Sequence, residues 1–193
     1  MSKKDKIRTL PIISREALDA AVAEVATLKL QYAAAKAAME LEIARVHSSA
    51  WKLFEPYHYL SGKLHPSAQC FVGFVRLDGP ESEAHPATFV AALPFPHATR
   101  PGWREHRCVC LPDFQGVGLG NATSEFVAAR FKALRKRYTS TTSHPAMIRH
   151  RARSPLWRMG RQPSLNRPHT GLDIPWTGRL TASFEYVGTP KSH

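Results

Sequence analysis

The chain has 193 residues, a hydrophobic fraction of 43% and a formal net charge of +12. That length buries a real core in one domain with an appendage, and no apolar run approaches the roughly 20 residues that span a bilayer. The start, "MSKKDKIRTLPIIS", is basic but has no apolar segment of the signal-peptide kind, so the expected setting is cytoplasmic, without a membrane partner. Of three cysteines, two fall in Cys108-Val109-Cys110. They read as reduced, partly buried thiols on a strand, not as a disulfide framework. The histidines are scattered without ligand spacing, so no metal is expected.

Residues 1–13 read as a basic disordered arm. From Ser14, a suitable N-cap with Glu16 in the first turn, no Pro or Gly intervenes before Pro56. The apolar stripe Leu18, Ala21, Val22, Val25, Leu28, Tyr32, Ala35, Met39, Ile43, Val46 has helical spacing, which predicts a long helix over 14–48. Such a helix packs along the domain, pairs with a second copy as a homodimer, or docks on a partner. Lys29 and Lys36 at the stripe's edge weaken a strict coiled-coil pattern.

A single domain is expected over 49–193. A short helix broken at Pro56 leads into the polar, aromatic stretch Tyr57-His58-Tyr59-Leu60-Ser61-Gly62. Aromatics around a titratable group suit base stacking and proton movement, and they equally suit a latch holding the first helix to the sheet. "QCFVGFVRLDG", "ATFVAALPFPH" and "WREHRCVCL" read as strands joined by loops, hence antiparallel. A helix over 121–137 follows, with Phe126, Ala129 and Leu134 on its buried side. Then come the strand "YTSTTS", the proline-led helix "PAMIRHRAR", the strand "LWRMG", a loop over 162–178 and a last strand, "RLTASFEYVG".

Between the third strand and the helix lies Gln115-Gly116-Val117-Gly118-Leu119-Gly120. Glycines let a backbone approach an anion closely, and a helix N-terminus favours negative charge. Gly120 is followed by Asn121-Ala122, so the lysine of a Walker A loop is absent. No acidic residue follows at dinucleotide-fold spacing. A pyrophosphate cradle of another kind remains.

The Gln-x-x-Gly-x-Gly of Gln115, Gly118 and Gly120, after the lead-in "CVCLPDF" and before an amphipathic helix, resembles the acyl-CoA signature of the GNAT acetyltransferase superfamily. The resemblance covers about residues 50–160. It implies an α+β fold: a mixed, mostly antiparallel central sheet with a splayed strand pair, flanked by helices, here with the long N-terminal helix added. It further implies acetyl-CoA as donor substrate, its pyrophosphate on the amides of Gln115 to Asn121, including Val117 and Leu119. The thioester carbonyl would be held by the backbone around Val109, Cys110 and Leu111, between strands 103–111 and 138–143.

Many family members carry a glutamate on the strand before the cradle, and the resemblance puts Glu105 near that position as general base. Its alternative is a salt bridge to Arg104, Arg107 or the basic stretch. The family's usual tyrosine acid has no counterpart in "SHPAMIRHRAR". His144 or Ser143 is the substitute, and a helix cap followed by proline is the other reading of both. Tyr57, His58, Tyr59 and Ser61 would line the acceptor side.

No acidic residue occurs between Glu125 and Asp173, while lysines and arginines recur from Arg130 to Arg167. Such a field attracts polyanions, and arginine suits phosphate geometry; a solvated basic face is the alternative. The expected function is acetyl-CoA-dependent N-acyl transfer to an amine, with nucleic acid a partner through 130–167. Residues 57–61 also resemble, over a few positions, a His-Tyr-Ser element of the phage Mom DNA-modification proteins. A second likeness is to GNAT proteins of phages and mobile elements, which would put the protein in a host cytoplasm. That leaves nucleobase modification, and a non-catalytic CoA- or DNA-binding module, as alternatives.

Overall fold

A computed structural model of the protein describes residues 14–58, 63–77, 79–165 and 180–190. Helix α1 spans Arg15–Ala38 and strand β1 Glu40–Val46. The four-residue helix α2, Trp51–Phe54, is flanked by 3-10 turns. Strands β2 (Gln69–Arg76), β3 (His85–Phe95) and β4 (Gly102–Cys110) precede helix α3 (Leu119–Ala133). Strand β5 (Arg137–Thr142), helix α4 (Pro145–Arg153), β6 (Trp157–Leu165) and β7 (Leu180–Tyr186) complete the order.

The strands form one sheet in the order β1-β2-β3-β4-β5-β7-β6. Every neighbouring pair is antiparallel except β4–β5, whose parallel pairing needs the crossover that α3 supplies. The expected mixed, mostly antiparallel sheet flanked by helices is thus observed. No helix among the described residues is long and apolar enough to cross a membrane.

Four expectations are corrected. The N-terminal helix ends at Ala38, not near 48, because Glu40–Val46 pairs along β2. Met39, Ile43 and Val46 fit a helical stripe, but Leu41 and Ile43 also alternate with exposed Glu40 and Glu42, and ladder pairing decides between the two periods. Helix α3 stops at Ala133, where Arg135 takes the left-handed φ of 56°. Leu134, expected on the buried side, therefore lies past the helix and is 60% exposed. Strand β6 runs on through residues 162–165 instead of turning into a loop.

The two faces of the sheet are covered differently. Helix α3 buries Val127, Ala128 and Phe131 against Phe71, Val90, Tyr138 and Phe184, and Phe131 stacks on Trp103 at 4.5 Å between centroids. Fully burying a side chain of this size contributes about 1.5–3 kcal/mol, so this layer anchors α3 and with it the loop at its N-terminus. On the opposite face Trp51 and Phe54 of α2 pack on Phe89, beside Val109. Helix α1 is unlike either: its described side chains, over 14–31, are all exposed.

Candidate active site

Strands β4 and β5 pair only at Gly102–Arg104 against Arg137–Thr139. Beyond Thr139 they part, although β4 runs on to Cys110 and β5 to Thr142. A bulge accompanies the parting: Ala92 faces Glu105 and Ala91 faces Arg107, which leaves His106 as the extra residue on β4. A bulge of this kind bends its strand and re-aims side chains.

Glu105 sits where the strands separate, directed to the α3 side. Arg151 from α4 donates to both carboxylate oxygens at 3.1 Å. Ser140 of β5 donates to Oε1 at 2.8 Å, and Ser124 of α3 donates to Oε2. The carboxylate is 6% exposed and the Arg151 side chain 0%. The guanidinium of Arg151 also lies 4.4 Å from the Trp157 ring centroid. One carboxylate thus ties β4, β5, α3 and α4 together. This is the salt-bridge alternative for Glu105, with an arginine drawn from the basic stretch.

The glycine-rich loop continues from β4. Gln115 Nε2 donates to the Cys110 carbonyl at 2.9 Å, clamping the loop to the strand end. Gly116 and Gly118 have φ of 85° and 91°, a region that costs an L-residue roughly 1–2 kcal/mol. Gly118 is the N-cap of α3, so the loop ends on outward-facing first-turn amides. A Cβ on Gly116 would meet nothing within 4 Å, which leaves the approach to the loop open. These residues fit an anionic group.

The strand end is more selective than expected. The Leu111 N–H donates to Ala87 O at 2.9 Å and is occupied. Alternation turns the Cys110 backbone groups to the other edge, towards the gap. Burial, then Glu105, pushes the Cys108 thiol far up, and burial pushes Cys110 to about 11. Neither cysteine is a thiolate at neutral pH, so neither is a ready nucleophile.

At the apex of the parting a cleft of about 280 Å³ is lined by Phe95, Arg104, Glu105, His106, Thr139 and Thr141. His106 escaped the sequence reading, since nothing in "REHRC" marks the bulge. Burial, reinforced by Arg107, Arg104, His65 and His58, lowers its pKa to about 4. The imidazole is therefore neutral at physiological pH. Its Nε2 is buried without a hydrogen-bond partner among the described residues.

The remaining expected residues are spread more widely. Tyr57 is exposed, and the His58 ring meets Trp51 of α2 edge-on at 5.6 Å. Tyr59 and Ser61 lie outside the described residues, and with them most of the Mom-like element. His144 is the N-cap of α4, ahead of Pro145, and Thr142 Oγ1 accepts its N–H at 3.1 Å. Ser143 precedes it at the end of β5.

Solved structures share this fold. The ribosomal-protein-S18-alanine N-acetyltransferase from Escherichia coli matches with a TM-score of 0.51 and 15% identity, over 80% of this chain and 97% of that one. The spermidine/spermine N-acetyltransferase from Vibrio cholerae gives 0.53 and 8%, over 76% and 91%. A GNAT-family protein from Desulfovibrio desulfuricans gives 0.52 and 13%, over 76% and 98%. The chain has the GNAT fold. No protein-family model matches it, and no curated protein does. Within this fold the strand pair parts as the resemblance implied.

Proposed function

We propose that the protein is an acyl-CoA-dependent N-acyltransferase that moves an acetyl group from acetyl-CoA to an amine. One observation carries this reading: a strand gap that opens directly into a glycine loop with two left-handed residues at a helix N-terminus. Amides of Gly116, Val117, Gly118, Leu119, Gly120 and Asn121 would take the pyrophosphate, with the helix dipole adding to the attraction. The pantetheine would lie in the gap, its thioester carbonyl against the Cys110 amide.

The amine attacks the thioester carbon, the new N–C bond forms, the C–S bond breaks and CoA leaves as thiolate. The amine must shed a proton. His106, which lines the cleft, is the acceptor this geometry favours. Glu105, with both oxygens engaged, acts as a positioning residue that sets the spacing of β4 and β5. His144, exposed at the end of β5, or Ser143 beside it, returns a proton to the thiolate. Tyr57 and His58, with Tyr59 and Ser61, border the acceptor.

A ligand that binds only the native state raises its stability, so acetyl-CoA and CoA should each raise the melting temperature. No shift with either would reject the donor assignment. The locked carboxylate of Glu105 favours a second reading, a non-catalytic CoA-binding module. Donor binding without acetylated product from any amine would select it. If nucleosides gain a mass other than that of acetyl, the chemistry is nucleobase modification of the Mom kind.

Helix α1 is proposed as a homodimer contact. Leu18 and Val25 fall on one heptad position and Ala21 and Leu28 on the other, and Leu18, Val25 and Leu28 are 55%, 49% and 55% exposed. In a parallel pair this register sets Glu24 of one copy opposite Lys29 of the next, the flanking ion pair that specifies such coils.

A further inference from the structure

The sheet face opposite α3 is divided. Over β1–β4 it is covered by Trp51 and Phe54. Over β5, β7 and β6 it is polar. Register aligns Arg104, Thr139, Glu185 and Arg158 in one row across β4, β5, β7 and β6, and Thr141, Ser183 and Arg161 in the next. Thr141 and Ser183 share a hydroxyl contact at 2.9 Å. Arg104, Arg158 and Arg161 are exposed.

Among the described residues of these two rows Glu185 is the single carboxylate. Arg100, Arg137 and Arg158 converge on it at 3.3, 3.3 and 3.2 Å. It is 18% exposed, while the Arg100 and Arg158 side chains are 56% and 62% exposed. One carboxylate cannot neutralise three guanidinium groups, and Arg104 and Arg161 add to the excess. The first row starts at the cleft itself, since Arg104 and Thr139 line it with Phe95, and the Arg104 guanidinium lies 5.8 Å from the Phe95 centroid.

We propose that this half of the sheet is the acceptor-docking surface and that it holds the phosphate backbone of a single-stranded nucleic acid, leading an amine on it to the β4–β5 cleft. The inference rests on the acyl-transfer reading for its placement of the acceptor, and on the arginine field for its chemistry. Three inter-strand steps separate Arg104 from Arg158, about 14 Å at ~4.8 Å per step. A strip of that length outreaches one small anion and suits successive phosphates. Arginine forks match phosphate oxygens bidentately. Phe95 with Arg104 at the cleft mouth supplies the stacking platform that single-stranded binders use.

The test is fluorescence anisotropy of labelled single-stranded DNA and RNA 20-mers across a salt series, without acetyl-CoA. Wild type should bind at least one of them with a steep salt dependence. Arg158→Gln and Arg161→Gln should each reduce the log–log slope by about 0.7 while melting normally, since both side chains are exposed. Glu185→Gln should tighten binding several-fold by removing the competing carboxylate. Unchanged slopes in both arginine variants, no binding of either 20-mer, or equally effective displacement by polyglutamate would overturn the proposal. The acetyl-CoA melting shift, measured on the same variants, should persist. Its absence in wild type would reject the acyl-transfer reading and leave the oligonucleotide result to stand or fall by itself.

Discussion

Glu105→Gln separates a positioning residue from a general base. The substitution keeps shape but removes the charge that balances Arg151, whose side chain is 0% exposed. Breaking one partner of a buried pair costs about 3–5 kcal/mol. The Trp157 face against Arg151 offsets about 0.5–2 kcal/mol of this, and Ser140 and Ser124 keep one neutral hydrogen bond each at most. A net loss of about 3 kcal/mol is expected, a fall in Tm of about 6–12 °C for a chain of this size. Urea denaturation of Glu105→Gln, Arg151→Met and the double variant measures it. The double variant should be less destabilised than the sum by about 2–3 kcal/mol, because the two residues act as one unit. A loss under about 1 kcal/mol with additive singles would refute the bridging argument. If turnover vanished in a variant of unchanged stability, Glu105 would be the base after all.

Three other outcomes follow from the same geometry. Gly118→Ala should lose about 1–2 kcal/mol, because an alanine at φ of 91° is strained. Gly120→Ala should lose nothing by urea denaturation, since its Cβ would lie an ordinary 3.8 Å from Cys110 Cβ and alanine is the better helix former; both should weaken the acetyl-CoA melting shift. His106 has a folded-state pKa of about 4, below its unfolded value of ~6.5, so the unfolded chain binds more protons between them. Stability from this group is present above pH 6.5 and is lost as pH falls towards 4; His106→Gln should flatten that part of the pH–stability curve, and an unchanged curve would discount the shift. For α1, sedimentation should show Glu24→Lys and Lys29→Glu each weakening the dimer, and their mixture restoring it as a heterodimer. Monomer at every concentration in wild type would end the coiled-coil reading.

The glycine loop and the order of elements around it were legible in the residues. Backbone conformations that demand glycine, a helix start and alternating strands are local properties, and their signals lie within a few positions of one another. The stretch from Ser14 to Val46 was not legible as two elements. Met39, Ile43 and Val46 satisfy both periods, and only the ladder with β2 turns Glu40–Val46 into a strand. Leu134 failed for a related reason, since helical periodicity carries on past a helix that Arg135 has already ended.

The basic stretch shows the division most clearly. Its charge was countable from sequence, and so was its bias towards anions. Its partition was not. Arg151 went into the interior against Glu105, a residue 46 positions away, while Arg137, Arg158 and Arg161 went to the open face beside the parted strands. The sequence by itself determined the glycine loop at the start of α3, because its conformation is built from adjacent backbone groups. The bulge at His106, the buried Glu105–Arg151 pair and the cross-strand arginine row were decided only by tertiary structure, because each is made by elements distant in the chain.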